Sequence, residues 1–120
     1  MSKYIDGFVL PLPKGKLEKY TQVATKAAAI WKEHGALEYL EAVGDDFKAE
    51  DMVDFPKLTG ASAEETVIMA YIVYESREHR DSVNAKVMAD PRIKEMCDPE
   101  NPIFDYSRMA YGGFRAIVEK

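Results

Sequence analysis

The sequence predicts an α+β fold, one antiparallel sheet with two helices on one face, its elements running strand, helix, strand, strand, helix, strand. Three observations predict it. Glu65–Glu75 carries no charge between its end glutamates and is rich in β-branched and aromatic residues, which reads as a strand. Its alternate positions divide into Thr66, Ile68, Ala70, Ile72, Tyr74 and Val67, Met69, Tyr71, Val73, both essentially apolar, so both faces of this strand are expected to be buried. Two stretches of helical periodicity, Lys16–His34 and Ser76–Ala89, supply a layer that can cover only one of those faces.

In chain order, Tyr4–Leu10 alternates and meets Pro11-Leu-Pro13, which is expected to end the first strand. Gly7 inside it marks a bulge or a close backbone approach. In Lys16–His34, Leu17, Tyr20, Ala24, Ala27, Ala28 and Trp31 recur at spacings of three and four; the small alanines predict close packing on the sheet. Gly35 suits the C′ position. Leu37–Gly44 is the second strand, with Leu37, Tyr39 and Val43 on one face and Leu40 and Ala42 on the other. Gly44–Gly60 is acidic and turn-rich, and a short extra strand is expected around Met52–Leu58. After the central strand, Ser76 is a good N-cap and Glu78 lies in the first turn; Val83, Val87 and Met88 are expected to form the buried edge. Asp90-Pro91 restarts a short helix that Asp98-Pro99-Glu-Asn-Pro102 ends. Met109–Val118, interrupted by Gly112-Gly113, is the last strand.

At 120 residues, 47% of them hydrophobic, a single domain over 1–120 with a sizeable core is expected. The net charge of -5 and a pI near 5.1, with no run of Lys or Arg, argue against nucleic acid and against anionic membranes as partners. One cysteine, Cys97, forbids an internal disulfide, and no apolar run reaches signal-peptide or membrane-spanning length. These features predict a soluble, cytoplasmic protein. The open sheet face would expose apolar residues of all four strands in a monomer, so a homodimer packing sheet against sheet is expected.

Six stretches stand out: Tyr4-Ile-Asp-Gly-Phe-Val-Leu-Pro11, Ile30-Trp-Lys-Glu-His-Gly-Ala-Leu-Glu-Tyr39, Val43-Gly-Asp-Asp46, Glu65-Thr-Val67, His79-Arg-Asp-Ser-Val-Asn-Ala-Lys-Val-Met-Ala-Asp-Pro91 and Arg108-Met-Ala-Tyr-Gly-Gly-Phe114. Together they are similar to the YbaA-like family of small uncharacterised bacterial proteins. The resemblance covers nearly the whole chain and departs at Pro102-Ile-Phe-Asp-Tyr-Ser107, where the family more often has Met-Pro-Phe-Asp-Gly-Lys. It implies a ferredoxin-like βαββαβ sheet pairing as a dimeric α/β barrel. It implies no activity. Related barrels include cofactor-independent monooxygenases and haem-degrading enzymes, a likeness at the level of fold alone.

For chemistry, Asp6 is the only charge between Tyr4 and Pro11, and a carboxylate facing inward needs a partner. Arg108 and Arg115 on the last strand are the candidate partners, giving a site or a structural ion pair, the other reading being an Asp turned outward at a sheet edge. His79, in the first turn of the second helix, reads as a general base opposite Asp6 or a ligand at the helix start, or else as a capping or surface histidine. Tyr39, Tyr71 and Tyr111 could line a cleft or serve as core phenols, and Asn84 could reach it or face solvent. Arg108 joins them as a ligand-binding candidate. Asp45, Asp46, Glu50, Asp51 and Asp54 fail calcium-loop spacing, Cys97 reads as inert, and His34 with His79 is too few for a metal centre. No metal and no cofactor are expected. The function these residues suggest is a homodimer holding a small molecule between sheet and helices. The alternatives are a monooxygenase- or isomerase-like enzyme acting on an aromatic or enol substrate, and a non-catalytic interaction module with a filled barrel.

Overall fold

A computed structural model describes residues 2–120. Its strands are β1 (Tyr4–Pro13), β2 (Glu38–Val43), β3 (Glu65–Tyr74) and β4 (Ala110–Arg115). Its helices are α1 (Leu17–Glu33), α2 (Phe55–Thr59), α3 (Arg77–Ala89) and α4 (Pro91–Met96). The strands form one sheet in the order β2-β3-β1-β4, every neighbouring pair antiparallel. This is the antiparallel α+β arrangement that the alternation and helical periodicity predict, with the ferredoxin-like topology that the resemblance implies.

The register decides which residues meet the helices. Tyr4 lies opposite Tyr74, Asp6 opposite Ile72, and Leu10 opposite Ile68, so even-numbered residues of β1 and β3 share one face. On it Ile72 and Tyr74 pack with Ile30, Val83, Val87 and Ile93, while Leu10, Leu12 and Ile68 form a second cluster beneath Leu17, Tyr20 and Phe104. Burying each such aliphatic side chain is worth roughly 1.5–3 kcal/mol. Gly35, at φ +117°, ends α1 in the left-handed region that disfavours a side chain, as its position predicts.

Four expectations are corrected. β1 does not stop at Leu10 but continues through Pro11 and Pro13, paired with Val67 and Glu65. Lys14 N–H donates to Glu64 O, so even positions of β1 point their amides at β3 and the two prolines point away from it. Pairing with β4 ends at Val9, so no ladder bond is lost where proline lacks its N–H. The segment around Met52–Leu58 is not a strand. Asp54 accepts from Lys57 N–H as N-cap, Pro56 sits in the first turn and Gly60 closes the end at φ +70°, which makes α2. In α3, Val83 and Val87 are buried but Met88 is 54% exposed, because one residue further turns the side chain about 100° away from the sheet. Finally, β4 stops at Arg115 rather than Val118.

The opposite face carries Val67, Met69, Tyr71 and Val73 of β3. Val67 is buried where α2 packs against β1 and β3, and Val73 is buried as well. Met69, with Leu40 of β2 and Phe114 of β4 from the same face, stays substantially exposed.

Candidate functional site

β2 is an edge strand, and Tyr39, Glu41 and Val43 lie opposite Ile72, Ala70 and Ile68, on the helix side of the sheet. Above them runs the apolar stripe of α1. The stripe packs over Leu10, Leu12 and Ile68 at Leu17 and Tyr20, but it does not close down on the sheet where its alanines predict: Ala24 and Ala28 are only half-buried. Side chains this short leave a cleft of about 300 Å³ between α1 and the β2–β3 edge. Its walls are mostly apolar, formed by Leu17, Ala24, Ala28, Val43 and Ile68.

Glu41 projects into this cleft with Tyr20 and Tyr39. Tyr39 donates its hydroxyl hydrogen to Glu41 Oε2 at 2.6 Å, and Tyr20 donates to Oε1. Burial, and then the charge and hydrogen bond of Glu41, push both phenols well above the usual tyrosine range, so they are neutral donors at any ordinary pH. Thr21 and Thr25, also on the wall, donate their hydroxyls to the carbonyls of Leu17 and Thr21. No Lys, Arg or His lines the cleft, and among the described residues no ion pair includes Glu41.

The second polar cluster on this face is built around Asp6, which is 1% exposed. The sequence reading assigns it Arg108 or Arg115; the structure gives it Arg80 of α3, with Nη1 at 2.6 Å from Oδ1. The same guanidinium donates to Tyr111 Oη at 3.0 Å and to Asp81 at 2.8 Å, and lies over the Tyr4 ring. Arg115 is opposite Tyr4, two strand positions from Asp6, whose partner on β4 is Gly113. Arg108 lies before β4 and makes a two-pronged pair with Glu65 at 2.9 and 3.0 Å, with a further bond to Gly60 O.

The remaining candidates separate. His79 Nδ1 accepts from Glu75 N–H, its own N–H donates to the Ser76 cap, and its ring stands edge-on to Tyr74. Asp6 and His79 therefore engage different partners, and no hydrogen bond joins them. Asn84 Oδ1 accepts from Trp31 Nε1 and Tyr74 Oη, tying α3 to α1 and β3. Tyr71 lies on the face away from Asp6 and Glu41. Of the ligand-binding candidates, Tyr39 alone lines the cleft that holds Glu41.

Glu41, Tyr20 and Arg80 escaped the sequence reading as site residues. Glu41 had a signal: it shares parity with Tyr39 and Val43, so a charge stands on the inward face of the strand. Arg80 had one too, since 80, 83 and 87 fall on one helix edge with Val83 and Val87. Tyr20 was visible only as a member of the apolar stripe. Elsewhere, a cavity of about 740 Å³ beside the C-terminal loop is lined by Pro13, Ile103, Phe104, Tyr106 and the exposed Cys97. Among the described residues, no group of three or more His, Cys, Asp or Glu side chains is placed to hold a metal ion, and no helix is long and apolar enough to cross a membrane.

Comparison with known proteins gives relatives at two depths. Residues 3–106 match the family described as protein of unknown function, DUF1428. Uncharacterized protein YbaA of Escherichia coli strain K12 is 42% identical over 118 residues, covering 98% of this chain and 99% of the relative. YbaA of Shigella flexneri matches to the same extent, 42% over 118 residues. Among solved structures, a dimeric ferredoxin-like protein from an uncultured marine organism superposes with a TM-score of 0.60 at 10% identity, over 100% of both chains. A NIPSNAP family protein of unknown function from Agrobacterium tumefaciens gives 0.58 at 17% identity, over 96% of this chain and 87% of its own. At these identities the structural likeness bears on the fold.

Proposed function

We propose that this chain, which belongs to the DUF1428 family of proteins of unknown function, binds a small, largely apolar molecule in the cleft between α1 and the β2–β3 edge. The observation that carries this reading is Glu41, a carboxylate held by two phenols inside an apolar cleft and without a basic partner. Removing a carboxylate from bulk water is costly, and a structural role is normally met by a salt bridge of the kind Asp6 makes. A cleft of about 300 Å³ with one convergent polar group has the size and character of a small-ligand site. Amide chemical shifts during titration with 2-phenylethanol to millimolar concentration test the reading. Shifts centred on Ala24, Ala28, Val43 and Ile68 are expected; a response confined to other surfaces overturns it.

We further infer that two copies pair through the sheet face left open by the helices. Leu40 at 42%, Met69 at 44% and Phe114 at 61% exposure leave an apolar surface there. The structurally similar marine protein is described as dimeric, which supports the pairing. One exposed free cysteine, Cys97, fits a reducing compartment and supports a cytoplasmic location.

A further inference from the structure

We propose that the molecule taken by the Glu41 cleft is a small organic amine bound as its ammonium ion; this rests on the reading that the cleft binds a ligand at all. Every side-chain donor of the cleft is already engaged. The lining residues include four hydroxyls, and each hydrogen is already given away: Tyr20 and Tyr39 to Glu41, Thr21 to Leu17 O, Thr25 to Thr21 O. The lining contains no Lys, Arg, His, Asn, Gln or Trp that could donate instead. The side chains facing the cleft therefore offer acceptors only: the remaining lone pairs of the Glu41 carboxylate and of the two phenol oxygens.

Such a surface rejects carboxylates, phosphates and enolates, which bring negative charge and need donors. A neutral alcohol can satisfy it with one hydrogen. An ammonium group satisfies it with three hydrogens and a positive charge, which Glu41 otherwise lacks from any side chain. Tyr20 and Tyr39, both on the wall of the cleft, carry rings of the kind that attracts a cation. The apolar wall of Leu17, Ala24, Ala28 and Ile68 fits a hydrocarbon body. A cavity of roughly 150 Å³ accommodates benzene, so about 300 Å³ holds an aromatic ring with a short aminoalkyl chain.

Three probes of nearly equal shape test this: 2-phenylethylamine, 2-phenylethanol and phenylacetate, titrated at pH 7 against the labelled full-length chain, with the shifts of Val43 and Ile68 followed. The amine is expected to bind about tenfold or more tighter than the alcohol, the difference one charge-assisted hydrogen bond makes. Phenylacetate is expected not to bind. Glu41→Gln should abolish the preference for the amine over the alcohol, while Tyr20→Phe, which keeps the carboxylate, should retain it. If Glu41→Gln does not fold, the ranking of the three probes on the wild-type chain decides alone. Equal binding of amine and alcohol, or binding of phenylacetate, overturns the amine assignment and leaves the cleft reading standing. No response at the cleft to any of the three overturns both.

Discussion

Asp6 and Glu41 are both carboxylates turned toward the helix layer, and their partners separate their roles. Asp6 meets a cation, Arg80, with both side chains shielded from solvent, so its charge is spent within the protein. Removing one member leaves the other buried and uncompensated, which costs about 3–5 kcal/mol. Asp6→Ala is expected to lower the melting temperature, followed by circular dichroism, by more than about 10 °C; an unchanged melt would show that the pair contributes nothing. A different carboxylate contributes to stability on the acid side. The side chain of Arg92, and next His34, hold Asp90 far below the usual carboxylate range. A depressed folded value means stabilisation that is complete above the ordinary carboxylate value, about pH 4, and is lost as pH falls below it. The difference in urea midpoint between the wild type and Asp90→Asn should therefore narrow as pH is lowered from about 5 to 2. A difference constant over that range would contradict the assignment. Of these charged residues, sequence could single out Asp6 because it interrupts an apolar strand. It could not name Arg80, since that pairing joins positions 74 residues apart through the crossing of α3 over β1.

At the scale of elements, the sheet and both long helices were legible because their hydrophobic periods, two and 3.6, are strong over ten or more residues. The misreadings fall where a local rule competed with context. Pro11 and Pro13 looked like terminators, and only the end of β4 pairing at Val9 explains why β1 runs through them. Met52–Leu58 looked like a strand by composition, and Asp54, Pro56 and Gly60 turned its latter half into α2 by capping. The stripe of α1 was read correctly as a stripe, but its alanines leave space instead of closing it, and that space is the cleft. On α3 the buried edge can be tested by contrast. Val87→Ala, at a site with no exposure, should cost about 2 kcal/mol from lost transfer energy and residual cavity. Met88→Ala, half-exposed one residue on, should change stability by less than about 0.5 kcal/mol in the same denaturant titration. Equal losses at the two positions would place the edge elsewhere.

For the whole molecule, the two faces of the sheet divide the work. The helix face builds the core and the cleft; the other face leaves Leu40, Met69 and Phe114 exposed, and the proposed pairing would run through it. An apolar interface of this kind buries on the order of 2,000 Å² or more, so light scattering during gel filtration should return twice the 13.6 kDa chain mass. Met69→Lys together with Phe114→Lys should return the single mass with the fold intact; a wild-type chain that runs as a monomer at micromolar concentration would contradict the pairing. The identity of a ligand was not legible in the sequence, because the feature that constrains it, four hydroxyls with their hydrogens already donated, exists only once α1 is laid over β2. Crystals soaked with 2-phenylethylamine test that feature most directly. Density is expected for the amine nitrogen about 3 Å from the Glu41 carboxylate, with the ring against Ala24 and Ala28. Density for the ring with the nitrogen turned away from Glu41, or an empty cleft at saturating amine, would contradict it.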